Sequence, residues 1–223
     1  MDAILPAAGE ARRMRGIPKF LLPCDNSYST LIEVHIGHLL EICNQIWIPT
    51  RPEFVLLLTS LGFSKDRIHI LPMETKSMTE TVANVMKISS SSHFQLVMPD
   101  TFFSGEIPYN ILKFNPEFAD LACWKIREEQ KGKLGQVLIE NDQITDITDK
   151  SPSCEYSYAW GSLTFSRKLM NFAELSDPHI GYSLKKAIQN GEFISAKIID
   201  GEYYDCGTPK EYILMLTERI NFE

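Results

Sequence analysis

The sequence has no apolar run long enough to cross a membrane, because no segment approaches the ~20 apolar residues that a transmembrane helix needs. Its start lacks the basic segment and the apolar stretch that are typical of a signal peptide. The five cysteines are scattered and none has C-x-x-C spacing, which argues against a disulfide framework or a zinc site. We therefore expect a cytoplasmic protein with reduced thiols and no membrane partner.

The sequence also lacks a broad excess of positive charge. Its formal net charge is −7, which argues against a protein that binds nucleic acid. A small anionic ligand needs only local positive charge, and residues 12–19 form the densest basic segment of the chain. With 223 residues, 44% hydrophobic and 23% charged, the chain can bury one substantial core.

Two common nucleotide-binding signatures are missing. The small-residue loop near the start, AAGEARRM, does not have the G-x-G-x-x-G pattern of dinucleotide-binding folds. No G-K-[ST] triplet occurs anywhere, so a P-loop ATPase is excluded. A nicotinamide-dependent dehydrogenase and a P-loop ATPase are therefore poor interpretations of this chain.

The stretch from Ile4 to Pro23 is nevertheless typical of a phosphate-binding loop. A short apolar strand is followed by small residues and then by basic ones: Pro6, Ala7, Ala8, Gly9, Arg12, Arg13, Arg15, Pro18 and Lys19. Small residues let a polyanion approach backbone amides, and arginine and lysine neutralise phosphates. These residues predict a nucleoside triphosphate site, and the competing interpretation is a surface loop with solvated charges.

The first hundred residues alternate between strand and helix. Capping boxes at Thr30–Glu33 and Ser77–Glu80 predict two helix starts. We predict strands at 3–5, 46–48, 68–71 and 94–98, and helices at 31–43, 52–61 and 77–88. The segment 52–61 contains the run FVLLL, which could instead be a strand. This alternation predicts a parallel sheet with crossover helices, whose ligands bind at the carboxyl ends of the strands.

The second half is richer in strands. We predict strands at 119–126, 135–140, 143–147, 158–165 and 193–199, and helices at 167–175, 182–190 and 208–220. The added strands are expected to extend the same sheet. The predicted fold class is a mixed α/β fold with a mainly parallel central sheet flanked by helices. It forms a single domain over 1–223, in which 1–100 bind the nucleotide and 101–223 bind the acceptor.

Four segments in this order resemble one enzyme family. They are AAGEARRM at 7–14 with PKFLLP at 18–23, Asp100 after a predicted strand, DKSP at 149–152, and YDCGTPKEY at 204–212. Together they resemble the nucleotidyltransferases that join a nucleoside triphosphate to a sugar 1-phosphate or a similar phosphorylated acceptor. The resemblance spans residues 3–212, nearly the whole chain.

The resemblance implies a GT-A-type, nucleotide-diphospho-sugar transferase fold with a Rossmann-like N-terminal half. It also implies Mg²⁺ and direct attack of the acceptor phosphate on the α-phosphate, with pyrophosphate leaving. Lys19 and Arg13 would be catalytic, and Asp100 and Asp205 would hold the metal. The remaining candidates are, for the nucleotide, Ala8, Gly9, Glu10, Ala11, Arg13, Met78 and Thr79, and, for the acceptor, Gly135, Lys150 and Gly161.

Three residues depart from the family pattern. Ala11 replaces a glycine, Met78 replaces a glycine close to the base, and Ser151 is inserted after Lys150. The base, the acceptor and the direction of Lys150 therefore stay open, as does the oligomeric state, a homo-oligomer included. A non-catalytic nucleotide or nucleotide-sugar sensor is the alternative function. The five histidines have no metal-ligand spacing and are expected to be structural or exposed: His35, His38, His69, His93 and His179.

Overall fold

The computed structural model describes residues 1–9 and 14–219, and its first half alternates strand and helix as predicted. The strands are β1 (Asp2–Ile4), β2 (Ile46–Thr50), β3 (Ile68–Pro72), β4 (His93–Val97) and a short β5 (Thr101–Phe103). The helices between them are α1 (Leu31–Ile42), α2 (Val55–Ser60) and α3 (Met78–Ile88). Strand β5 was not predicted from the sequence.

The second half contributes six further strands and two helices. The strands are β6 (Ala119–Lys125), β7 (Gly135–Glu140), β8 (Gln143–Asp149), β9 (Tyr158–Ser166), β10 (Ile194–Ile198) and β11 (Tyr203–Asp205). The helices are α4 (Ile180–Gln189) and α5 (Pro209–Arg219). Strand β11 was also missed, and the predicted end of the last helix near residue 220 lies outside the described residues.

One nine-stranded sheet runs through both halves of the described chain, in the order β3-β2-β1-β4-β9-β6-β10-β8-β7. The first four strands are parallel, which gives the N-terminal half its Rossmann-like character. Strands β8 and β9 run against the others, so the sheet is mixed but mainly parallel in orientation. Strand β7 also pairs with β9, so the last strands curl back on the sheet.

Side-chain caps start two of the crossover helices. Thr30 and Glu33 form a reciprocal capping box at α1, in which the Thr30 amide donates to the Glu33 carboxylate at 2.8 Å. At α3 the Ser77 hydroxyl accepts from the Glu80 amide at 3.0 Å. Each cap satisfies amide groups that have no partner inside the helix, so each helix begins at a fixed residue.

Two of the predicted helical segments contain 3₁₀ structure. The segment 52–61 is a 3₁₀ turn (Pro52–Phe54) followed by α2, so the helix interpretation is confirmed over the strand. The helix predicted at 167–175 is a 3₁₀ helix and ends at residue 172. Here the Arg167 guanidinium donates to the carbonyl oxygens of Ser89 and Ser91, which ties this segment to the end of α3.

Apolar clusters cover both faces of the sheet. Successive residues of the first strand point to opposite faces: Ala3 and Leu5 join the cluster that α1 and α2 cover, and Ile4 joins the cluster that α3 and α4 cover. This burial on both sides is typical of parallel sheets and leaves the strand ends as the accessible edge. No helix in the described part of the chain is long and apolar enough to cross a membrane.

Candidate active site

A cavity of about 900 Å³ opens at the carboxyl ends of β1 and β4. Pro6, Ala8 and Gly9 line it after β1, and Met98 and Asp100 line it after β4. Parallel strands present their carboxyl ends at one edge, which is where open α/β sheets bind ligands. The cavity extends past the end of β8 to the segment before α4, so residues from both halves of the chain face it.

Lys19 and Asp100 meet in this cavity. The Lys19 Nζ atom lies 3.0 Å from the Asp100 Oδ2 atom and donates a hydrogen bond to it. Lys19 opens a short 3₁₀ turn (Lys19–Leu21), and the next residue, Phe20, is buried with its ring 6.0 Å from that of Phe54. The buried phenylalanine anchors the turn, so the lysine is held at the cavity instead of moving freely in solvent.

Asp205 reaches the same place from the far end of the chain. Strands β5 and β11 form a two-stranded antiparallel sheet in which Asp205 pairs with Thr101. The Cys206 amide donates to the Asp100 carbonyl oxygen at 3.0 Å, which fixes the two aspartates on neighbouring segments. The fold therefore places these two aspartates on neighbouring segments, and their role as metal ligands stays a prediction.

The electrostatics of Asp205 reflect this proximity. Burial raises the pKa of Asp205, and the neighbouring Asp100 carboxylate raises it further, while Lys19 and the Gly207 amide oppose the shift. Two carboxylates with one nearby ammonium form a site that a divalent cation would stabilise. No group of three or more His, Cys, Asp or Glu residues with metal-site geometry occurs in the described chain.

Gly207 has a local reason to be glycine. Its amide donates to the Asp205 Oδ1 atom at 3.0 Å. A Cβ atom at this position would lie 2.7 Å from the same oxygen, which is closer than real Cβ contacts come. The sequence contained Gly207 in the YDCGTPKEY segment but gave no reason to assign it a role, because the contact depends on how the Asp205 side chain folds back.

The end of the cavity next to β1 contains part of the set that the sequence predicted for a nucleotide. Ala8, Gly9 and Met78 line it, and a Cβ atom at Gly9 would meet nothing within 4 Å. Thr79 is fully buried in α3 and is not part of the lining. Glu10, Ala11 and Arg13 lie outside the described residues.

Lys150 lines the opposite end of the cavity. Its backbone has a positive φ of 49°, and its amide donates to the Leu134 carbonyl oxygen at 3.1 Å. The Ser151 hydroxyl instead contacts that of Ser153 at 3.1 Å. The inserted residue therefore leaves Lys150 facing the cavity, which the sequence could not decide.

Gly135 and Gly161 also line this end, and both lie against aromatic rings. A Cβ atom at Gly135 would lie 2.4 Å from the indole nitrogen of Trp160. A Cβ atom at Gly161 would lie 2.4 Å from the ring of Tyr203 and 2.9 Å from that of Trp124. Close packing of the aromatic floor therefore accounts for both glycines, whatever ligand approaches them.

The sequence expectation for His179 needs correction. It was expected to be structural or exposed, but it lines the cavity and its Nε2 atom lies 3.0 Å from the Lys150 Nζ atom. Asp149 lies next to this pair, and burial raises the pKa of its carboxyl group. No sequence signal could have placed His179 here, because the prediction started the adjacent helix only at Tyr182.

The fold is that of nucleotide-diphospho-sugar transferases, as comparison with solved structures establishes. A protein described as a glucose-1-phosphate thymidylyltransferase from Bacillus anthracis, in complex with sucrose, aligns with a TM-score of 0.82 at 20% identity, over 100% of this chain and 97% of its own. The inositol-1-phosphate CTP transferase from T. maritima aligns with a TM-score of 0.78 at 16% identity, over 96% and 94% of the two chains.

A third structure, UDP-glucose pyrophosphorylase in complex with UDP-glucose, aligns with a TM-score of 0.79 at 18% identity, over 97% of both chains. Sequence comparison alone gives no match, either to a family model or to a curated protein. At these identities the likeness shows the fold, which agrees with the predicted fold class. The chemistry must be argued from the side chains in the cavity.

Proposed function

We propose that this protein transfers a nucleoside monophosphate from a nucleoside triphosphate to a sugar 1-phosphate or a similar phosphorylated acceptor, releasing pyrophosphate. The observation that carries the proposal is the meeting of Lys19, Asp100 and Asp205 in a cavity that extends to Lys150. The three solved structures that share the fold are described as a glucose-1-phosphate thymidylyltransferase, an inositol-1-phosphate CTP transferase and a UDP-glucose pyrophosphorylase, names that differ in nucleotide and acceptor.

The two aspartates suit a magnesium ion. Mg²⁺ prefers one or two carboxylates together with phosphate oxygens and water, and Asp100 and Asp205 would supply two carboxylates. The raised pKa of Asp205, which follows from burial and from Asp100, indicates a site that gains from added positive charge. When bound, the metal would neutralise phosphate charge, and Asp100 and Asp205 would hold it.

Lys19 supplies the fixed positive charge of the site. The oxygens of the α-phosphate gain negative charge as the acceptor attacks, and a positioned ammonium stabilises that charge. Lys19 already lies 3.0 Å from Asp100, so it is close to where the phosphate would be held. Arg13, which lies outside the described residues, is proposed to grip the triphosphate from the same loop.

The acceptor needs positioning and no general base. Its phosphate is already an anion, so the side chains need only orient it for in-line attack. Lys150 faces the cavity from the β8 end and is proposed to bind this phosphate, with Gly135 and Gly161 beside it. Ala8 and Gly9 would cradle the triphosphate at the opposite end with Glu10 and Ala11, and Met78 is proposed to face the base, whereas the buried Thr79 lies behind the lining and is left out of the site.

The proposal also includes the cellular compartment and the domain organisation of the protein. All five cysteines are free, and four of them are buried, which suits a reducing compartment such as the cytoplasm. The sheet continues from the first half into the second, which supports a single domain over 1–223 divided near residue 100 between nucleotide and acceptor.

Pyrophosphate release tests the proposal. Each nucleoside triphosphate is mixed with each member of an acceptor panel that contains sugar 1-phosphates and phosphocholine, with Mg²⁺ present. We expect pyrophosphate from a restricted set of pairs, and none from Asp100→Asn or Asp205→Asn. Tight nucleotide binding without turnover by any pair would instead favour the sensor, for which the cavity lining by Met78 is the supporting observation.

A further inference from the structure

Lys150 and His179 form a hydrogen-bonded pair inside the cavity. The Lys150 Nζ atom lies 3.0 Å from the His179 Nε2 atom. An ammonium group can only donate, so Nε2 accepts and the imidazole is neutral with its proton on Nδ1. His179 is the N-cap residue of α4, yet its side chain makes no capping hydrogen bond. The ring is therefore turned toward the cavity and not used to stabilise the helix.

The surroundings of His179 balance opposing charges. Burial lowers the pKa of His179, the Asp149 carboxylate at the end of β8 raises it, and the Lys150 ammonium lowers it. The cavity lining contains further charged side chains. Two come from the second half of the chain, Lys133 and Asp205, and one comes from the loop before α3, Lys76. The imidazole is thus held neutral mainly by burial and by a neighbouring cation that a ligand could draw away.

We propose that His179 is a second ligand of the acceptor's phosphate and takes up a proton when that phosphate binds. This inference rests on the proposed function and deepens it, because it names a phosphate monoester dianion as the recognised group. A bound dianion would attract Lys150 away from Nε2 and leave that nitrogen facing phosphate oxygens. Nε2 then gains one proton from solvent and donates to the phosphate, and no covalent bond to phosphorus changes.

Histidine NMR with inorganic phosphate as the probe tests this directly. The carbon-bound ring signals of the five histidines are followed through a pH titration with and without phosphate, and His179 is assigned from the spectrum of His179→Gln. We expect the midpoint of the His179 titration to rise by about one pH unit when phosphate is present, which corresponds to about tenfold tighter phosphate binding by the protonated form. His93 begins β4, at the end of the strand away from the cavity, so phosphate should have no effect on its signal.

Variants separate a phosphate ligand from a structural residue. His179→Gln keeps a side chain that can accept from Lys150 and donate to phosphate, but it cannot titrate. We expect its affinity for the phosphate dianion, calculated from the fraction of phosphate that is the dianion at each pH, no longer to rise as the pH falls below neutrality, whereas His179→Ala binds the dianion about tenfold more weakly. His93→Gln serves as the matched control and should keep the wild-type pH dependence.

The outcomes distinguish this inference from the proposed function. A titration of His179 that is the same with and without phosphate would overturn the inference, even if pyrophosphate is released normally. Wild-type pH dependence of phosphate binding in His179→Gln would overturn it too. If His179 responds to phosphate but no nucleotide and acceptor pair turns over, the phosphate site stands and the transferase proposal fails.

Discussion

The Lys19 ammonium and the Asp100 carboxylate lie 3.0 Å apart although 81 residues separate them in the chain. One follows the first strand of the sheet and the other follows β4, which is parallel to it and adjacent. Strand pairing therefore brings together a cation and an anion that the sequence places far apart. The side chains are 20% and 26% exposed, so the pair lies at the cavity surface and contributes little to folding stability.

Replacing this lysine should reduce catalysis without unfolding the protein. In Lys19→Met the chain loses the ammonium but keeps a side chain of similar length. We expect kcat to fall by about 10²–10³, because one preformed electrostatic contact to the transition state is lost. Steady-state pyrophosphate release measures this effect.

The matched control for this change is Lys87→Met, since Lys87 lies on the exposed surface of α3. It should keep wild-type turnover, and both variants should melt within about 2 °C of wild type. A Lys19→Met variant with unchanged kcat would remove Lys19 from the mechanism.

Asp205→Asn should separate stability from function. Burial and Asp100 raise the pKa of Asp205 in the folded protein. The free energy of unfolding therefore falls as the pH rises from the ordinary pKa of an aspartate through the folded-state pKa of Asp205. At pH values above the folded-state pKa this penalty is fully present. The asparagine removes the charge but can still accept from the Gly207 amide, so we expect a higher melting temperature without metal.

With Mg²⁺ and a nucleoside triphosphate the order should reverse. Wild type should gain melting temperature, Asp205→Asn should gain much less, and its turnover should fall by at least about a hundredfold. Asp66→Asn, in an exposed turn, is the control and should behave as wild type in both assays. An equal metal-dependent gain in Asp205→Asn would exclude Asp205 as a ligand.

Two glycine substitutions should affect different properties, one the stability of the protein and the other its KM for the nucleotide. A Cβ atom at Gly161 would press on the rings of Tyr203 and Trp124, so Gly161→Ala should lower the free energy of unfolding by about 1–3 kcal/mol. A Cβ atom at Gly9 meets nothing, so Gly9→Ala should fold normally and raise the KM for the nucleotide. Urea unfolding and steady-state kinetics measure these effects. Normal stability in Gly161→Ala would contradict the packing reason for that glycine.

His35 should make stability fall in mild acid. It is fully buried, with Nε2 2.8 Å from the Thr101 carbonyl oxygen and the Tyr109 hydroxyl 2.6 Å from Nδ1. Burial lowers the pKa of His35 from 6.5 to about 4. The unfolded chain therefore binds a proton that the folded protein does not between these values, and the free energy of unfolding should fall by about 1.4 kcal/mol per pH unit.

Urea unfolding at several pH values measures this slope. His35→Gln should be less stable at neutral pH, because it cannot keep both hydrogen bonds. The difference in stability between the two proteins should narrow as the pH falls from 6.5 toward 4. A difference that stays constant over this range would show that His35 is not the titrating group.

Local signals in the sequence predicted the helix starts. The hydroxyl groups of Thr30 and Ser77 accept from the amides three residues on, as the capping patterns indicated, and the Thr208 hydroxyl does the same at the start of α5. Helix caps depend on neighbouring residues only, so a single sequence contains them. The hairpin between β7 and β8 also has a local signal, since Asn141 and Asp142 both adopt the positive φ that its turn requires.

What the sequence could not predict depends on contacts between distant segments. Strands β5 and β11 have three residues each and form only because they pair with one another across a hundred residues. The same pairing brings Asp205 to Asp100, which the family resemblance implied but no local pattern contained. The position of His179 and the direction of Lys150 depend on how the β8 end packs against the segment before α4.

The most direct test of the proposed reaction follows the α-phosphorus. The protein is incubated with Mg²⁺, an acceptor that supports pyrophosphate release, and a nucleoside triphosphate labelled at the α-phosphate. We predict that the label appears in a nucleoside monophosphate joined to the acceptor's phosphate through a diphosphate bridge, with one pyrophosphate formed per labelled product, and that Lys19→Met slows both equally. Release of orthophosphate, or label that stays in free nucleotide while the triphosphate is consumed, would contradict nucleotidyl transfer.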